Sequence, residues 1–221
     1  MTISPQSASS ANQAYAYIRE QIFNGTFQEG QRLTEQQFSD ALSLSRTPVR
    51  EAMRRLVADG FLHFQPNSGT FVRTWDADEI AAVYDARILV ESEMAGFAAR
   101  HMTPDIVGRL RLLATEMGLH GPDIAEPNLL RISPLNRDFH NLIIATAQSP
   151  RLALMHKQAV EVQIIQRTRR RYSSAQLART FHHHDELIDA FSCRDAEWAR
   201  RVMYCHLRSA KLAMLGVVDQ A

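Results

Sequence analysis

The chain has 221 residues, 45% of them hydrophobic and 22% charged, enough for one large or two modest globular domains. A net charge of +1 excludes engagement of nucleic acid through global charge, so any basic surface must be local. Two cysteines, Cys193 and Cys205, exclude a disulfide scaffold and suggest a reducing compartment, and no apolar run approaches the roughly 20 residues a membrane-spanning helix needs.

The first residues, MTISPQSASSAN, lack the basic start and apolar stretch of a secretion signal. Residues 1–10 are expected to be a disordered polar arm, and the protein to be cytoplasmic. Two regions follow, 11–74 and 78–221, with the joint in RTWDAD (73–78). In the first, Ala14, Tyr17, Ile18 and Ile22 fall at helical spacing, and Asn24-Gly25 ends that helix. Thr34 caps a second short helix, EQQFSDAL, with Phe38, Ala41 and Leu42 inward. A third begins at SRTPVREA: Ser45 or Thr47 can cap it, and Pro48 suits a first turn where no N–H is needed. Val49, Met53, Leu56 and Val57 form its buried stripe, and Gly60 ends it. FLHFQ and TFVRT alternate around PNSG, which predicts a hairpin.

Three helices and a hairpin make a winged helix-turn-helix, whose third helix enters the DNA major groove by its N-terminal end. Arg46 and Arg50 would stand one turn apart there, able to pair with guanine O6 and N7 or to clamp a phosphate. Ser45 and Thr47 could contact phosphates, and Asn67, Ser68 and Gly69 form a wing tip small enough to approach a backbone. Arginines four apart also decorate ordinary solvated helix faces, and Glu51 and Asp59 lie near.

From Asp78 on, helical periodicity dominates. A helix over 78–100 places Arg87 and Glu91 on its largely apolar face, where they either pair with each other or leave Arg87 facing a cavity to meet an anion. His140, His184 and His206 each fall on the inward face of a separate helix, and Asn136 lies one turn before His140. A single such residue is usually a hydrogen-bonded core histidine. Three together suggest a shared divalent metal, which neutral imidazoles suit. Asp138 points about 160° from His140 on the helical wheel and cannot substitute for Asn136. His182 and His183 are expected on the solvent side.

The stretch NGTFQEGQRLTEQQFSDALSLSRTPVREAMRRLVADGFLHFQPNSGTFV closely resembles the DNA-binding domain of GntR-type bacterial transcription regulators. Small departures occur: Glu29-Gly30 stands for Pro-Gly, and Ser43 for a turn glycine. The resemblance implies DNA contacts at Arg46, Thr47, Arg50 and near Gly69, with Gln36 at a backbone- or base-contacting position. VYDARILVESEMAGFAARHMTP, LNRDFHNLIIATAQSPRL and HDELIDAFSCRDAEWARRVMYCHL resemble the all-helical FCD effector domain of the FadR subfamily. That resemblance spans about 78–215 and implies a metal, Zn or Ni, held at Asn136, His140, His184 and His206. Asn136 replaces the family's aspartate, and a neutral amide binds a divalent ion more weakly. A small organic acid is implied as effector, met by Arg87, with a contribution from RTRRRY (167–172) open beside its reading as a solvated face.

The expected fold is mostly α: an N-terminal winged helix-turn-helix followed by an all-α helical bundle that binds ligand and dimerises. The expected function is ligand-responsive repression by a homodimer on a palindromic DNA operator. Two alternatives stand beside it. One is a metal-dependent enzyme using the three histidines, against which no His-Glu-x-x-His helix and no evident general base appear. The other is a DNA-binding regulator whose C-terminal domain only dimerises.

Overall fold

The computed structural model describes residues 5–23, 25–121, 126–159 and 172–216. The chain forms two compact units, 1–75 and 76–221.

The first unit runs α1 (Pro5–Phe23), β1 (Arg32–Leu33), α2 (Glu35–Leu42), α3 (Arg46–Ala58), β2 (Leu62–Gln65) and β3 (Gly69–Val72). The helix α1 starts at Pro5, so residues 5–10 are helical where the sequence suggested an arm. Proline tolerates a first helical turn, and the small polar residues behind it do not stop propagation. Thr34 caps α2 in a full capping box: its side chain accepts from the Gln37 N–H while the Gln37 side chain reaches back to the Thr34 N–H. Ser43 closes α2 in the left-handed conformation, φ 53°, which explains why glycine would suit that position. Ser45 is the N-cap of α3 by backbone position, but its side chain makes no capping bond.

The sheet order is β1-β3-β2, all antiparallel. The hairpin matches the sequence pattern, whereas β1 adds a two-residue edge strand that pairs Arg32 with Phe71 and Leu33 with Thr70. At Gly69, φ is +117°, a backbone conformation that favours glycine, and a Cβ there would stand 2.9 Å from Arg32 Nε and push that flexible side chain aside. Ala14, Ile18, Phe38, Val49, Leu56 and Val72 form one buried cluster beneath the sheet and three helices.

The second unit is helical throughout its described residues: α4 (Ala77–His101), α5 (Pro104–Leu119), α6 (Glu126–Thr146), α7 (Pro150–Ala159), α8 (Ser174–Ser192) and α9 (Ala196–Met214). Asp76 caps α4 with a capping box to Glu79. The long central α4 packs along α9 and also meets α6, α7 and α8. The α4–α9 approach is close at Gly96, where a Cβ would lie 3.0 Å from the Ala196 carbonyl oxygen. Tyr84, Met94, Leu110, Phe139, Leu187, Phe191 and Leu207 fill the interior.

The head's stability rests on its one small cluster. Phe38→Ala, at a fully buried side chain on α2, is expected to cost about 3–5 kcal/mol. Urea unfolding followed by circular dichroism measures it, and a loss under about 1 kcal/mol would mean the cluster does not hold α2.

Candidate functional site

The head exposes the residues that sequence singled out. Gln36, Ser45, Arg46, Thr47, Arg50 and Asn67 are all exposed, and Gly69 is half-buried beside Arg32. The helix α3 buries Pro48, Val49, Ala52, Met53 and Leu56, which turns Arg46, Arg50 and Arg54 outward. Asn67 holds φ 63° at the hairpin tip, a left-handed geometry asparagine tolerates. A cleft of about 720 Å³ between α3 and the strands is lined by Arg32, Arg50, Arg54, Thr34, Phe64 and Thr70, among others.

The two leading arginines are already engaged within the head. Arg50 donates to Glu35 through Nε at 2.7 Å and Nη2 at 2.8 Å. Arg46 donates through Nη2 to Gln36 Oε1, and Gln36 donates through Nε2 to Asp40 Oδ1 at 2.7 Å. Sequence reading placed Gln36 on the face but missed Glu35 and Asp40. Both depend on how α2 packs against α3, which spacing along the chain does not give.

In the second unit, His140 on α6, His184 on α8 and His206 on α9 converge. One ring nitrogen from each lies within 4.8 Å of the others, and all three residues are buried. Ring centroids are 4.9–5.7 Å apart. Phe139 stacks on His184 at 4.4 Å and closes one side. His206 Nδ1 is buried with no hydrogen-bond partner among the described residues. Burial, then the neighbouring His184, His140 and His183, then Arg87, push the His206 pKa well below its usual value, so the ring is neutral. Neutral, convergent imidazoles are the protonation state that metal ligation needs. Asn136 is buried on α6 one turn before His140. Asp138 points out, with about half its side chain exposed beside Arg137.

His182 is exposed as expected, but His183 is not on the solvent side. It is half-buried, its Nδ1 has no hydrogen-bond partner among the described residues, and its ring lies 5.9 Å from that of His206. Neighbours on a helix differ by about 100°, so a residue beside a ligand position flanks the inward face instead of opposing it.

Arg87 and Glu91 resolve toward the pairing alternative. Arg87 Nε lies 2.7 Å from Glu91 Oε1 and Nη2 lies 3.4 Å from Oε2, with both side chains buried. The Arg87 guanidinium also stands 5.1 Å from the Tyr84 ring centroid. Glu91 collects two more partners: His140 Nδ1 at 3.4 Å from Oε2 and His156 Nε2 at 3.3 Å from Oε1. Burial opposes the carboxylate's charge, but Arg87, His140 and His156 outweigh it and hold the carboxyl well below its usual value. Sequence reading missed His156, which sits on the short helix α7 with no strong periodicity to mark it. Arg167 to Arg171 and Glu161 lie outside the described residues.

Comparison with known proteins places these features in context. Residues 10–72 match the family model of bacterial regulatory proteins, gntR family, and residues 82–209 match that of the FCD domain. An uncharacterised HTH-type transcriptional regulator of Bacillus subtilis (strain 168), YdhC, is 31% identical over 134 residues, 60% of this chain. That match spans 58% of the relative's own length. The HTH-type transcriptional repressor GlaR of Escherichia coli (strain K12) is 25% identical over 215 residues, 94% of each chain. The solved structure of E. coli McbR/YncC aligns at a TM-score of 0.74 and 21% identity, over 97% of this chain and 98% of that one, a likeness of fold.

Two outcomes follow from the buried charges. Glu91→Ala leaves Arg87 buried without its anion and is expected to cost about 3–5 kcal/mol in urea unfolding; Arg87→Met with Glu91→Leu is expected to recover most of it. Equal losses in the single and double variants would contradict this. The second concerns pH. A histidine with a depressed folded pKa contributes stability that is present above its ordinary value of 6.5 and is lost as pH falls through the folded value. Metal-free protein is expected to lose unfolding free energy as pH falls below 6.5, and His206→Leu to flatten that limb. A slope untouched by the substitution would assign the effect elsewhere.

Proposed function

Because the chain belongs to the gntR family of bacterial regulatory proteins and carries an FCD domain, it is a transcriptional regulator and not an enzyme, and we propose that it is a FadR-subfamily repressor released from DNA by a small organic acid. In this reading a cytoplasmic homodimer sets two α3 helices on the half-sites of a palindromic operator. Among the described residues, no helix is long and apolar enough to cross a membrane.

On the DNA, Arg46 and Arg50 offer paired donors to guanine edges or phosphates. Ser45 and Thr47 contribute hydroxyls, and the α3 N-terminus backbone N–H groups, to phosphates that fix register. Gln36 meets the backbone or a base from α2, and Asn67 and Gly69 bring the wing against the duplex.

The observation that carries the effector half is the convergence of three buried imidazoles, with His206 Nδ1 lacking a hydrogen-bond partner among the described residues. A buried polar atom left bare is costly, and a bound cation would satisfy it. His140, His184 and His206, with the Asn136 amide oxygen, would hold a divalent transition metal, Zn or Ni. Bound there, the metal would supply a Lewis-acidic seat for a carboxylate. Glu91 stands behind His140 Nδ1, so in this reading Nε2 would be the ligating nitrogen. Arg87 gives Nε and Nη2 to Glu91, so in this reading an incoming acid would share the guanidinium with that carboxylate. The acid can change operator affinity only by binding two conformations of the dimer unequally.

Asn136 supports one second reading, in which the C-terminal unit dimerises without ligand. Its neutral amide contributes no charge to a cation. Elemental mass spectrometry of untagged protein separates the two. About one metal per chain, lost in His184→Ala, is expected; metal-free protein even after incubation with Zn and Ni would favour the second reading. Arg46→Ala with Arg50→Ala is expected to lower affinity for a selected palindrome by roughly a hundredfold. Unchanged affinity would remove α3 from the interface.

A further inference from the structure

The face of the head that carries the reading arginines also carries two carboxylates, where electrostatics alone argues against them. DNA is a dense polyanion, and each carboxylate facing it repels phosphate. Glu35 and Asp40 both lie on α2, and each is tied to one of the two arginines at the start of α3.

The geometry is specific in both cases. Glu35 takes Arg50 by two parallel bonds, from Nε and Nη2, the fork arrangement that fixes a guanidinium plane. That leaves the outer edge of Arg50, with its Nη1 donors, facing away from α2. Asp40 acts one step removed. By accepting from Gln36 Nε2 it turns the amide so that Oε1 faces Arg46. Turned over, the same amide would present its own donors to a guanidinium that has only donors.

These contacts do little for stability. Side-chain exposures of 53% for Arg50 and 31% for Glu35 put the pair in solvent, where such bridges contribute little to folding. Nor does either contact neutralise an isolated buried charge. What they restrict is the pose of two long, flexible side chains. An arginine free to rotate binds any phosphate within reach. One held in plane by a carboxylate approaches a base edge already oriented, and its net charge toward a chance phosphate is reduced.

We propose, resting on the operator-binding reading above, that Glu35 and Asp40 are specificity-determining positioning residues: Glu35 holds Arg50, and Asp40 through Gln36 holds Arg46, so that both arginines discriminate sequence instead of adhering to any duplex. The Arg50 hydrogen bond holds the Glu35 carboxyl below its usual value, so the pair stays ionised at neutral pH.

The test uses the full-length protein and two labelled duplexes of equal length. One is enriched from a random pool by the wild-type protein, and the other is its scrambled counterpart. Fluorescence anisotropy across a salt series gives both affinities for wild type, Glu35→Ala, Asp40→Ala and Glu51→Ala. The last removes the same charge from α3 without releasing an arginine. Glu35→Ala is expected to bind the scrambled duplex several-fold more tightly, with a salt slope steeper by about one. Its preference for the selected duplex is expected to fall roughly tenfold, with Asp40→Ala changing in the same direction. A merely structural role would shift melting without moving that ratio. If affinities for both duplexes rise in parallel, as expected for Glu51→Ala, the carboxylates act by charge alone and the proposal is overturned. If the wild type enriches no sequence, the operator reading itself fails, and this proposal with it.

Discussion

A carboxylate buried at 2% exposure in a helical bundle sets the terms for the second unit. Glu91 cannot be solvated there, and a bare buried charge would be intolerable. The chain meets it with a guanidinium from its own helix and imidazoles from α6 and α7. Three helices are therefore registered to one point. Any slide of α6 or α7 along α4 would separate a histidine from the carboxylate. The same arrangement orients His140, whose Nδ1 lies 3.4 Å from Glu91 Oε2. The centre is thus built outward from an ion pair that lies behind it.

The head uses the same pairing of carboxylate and arginine under opposite conditions. Glu35 and Arg50 are substantially exposed, so water competes with each bond and the pair adds little to folding. Where burial makes the Arg87–Glu91 pair a matter of stability, exposure makes the Glu35–Arg50 pair a matter of geometry. An exposed bidentate contact persists only if little side-chain entropy is lost in forming it, and the short reach from the start of α2 to the start of α3 meets that condition.

Much of this was legible in the sequence, for identifiable reasons. Thr34 with Gln37 is a capping box with a local signature, and the hairpin announces itself by alternation around PNSG. The three histidines are visible because each stands on a strongly periodic helix. What was hidden depended on tertiary placement. The strand β1 is two residues long and exists only because β3 lies beside it. The choice of Arg87 between Glu91 and a cavity is a competition that spacing cannot decide, since the pair at i and i+4 satisfies either outcome. His156 reaches Glu91 from a ten-residue helix whose pattern marks no face. His183 was misjudged because a two-sided helical wheel has no place for residues on the flank.

The replacement at Asn136 ties these features together. Among the described residues, Arg87 and Glu91 balance each other and the histidine centre includes no carboxylate. In the proposed site a divalent cation would keep its full charge in a buried setting. With an aspartate ligand, part of that charge would be cancelled within the protein. With asparagine it falls to an exogenous anion, and the energetic case for a carboxylate effector becomes stronger as the case for tight metal binding alone becomes weaker. By linkage, a cation and an anion that stabilise each other in one cavity must each raise the other's affinity by the same factor. In the proposed site, an amide at Asn136 would therefore shift the centre away from permanent metal retention and toward joint recognition of metal and acid.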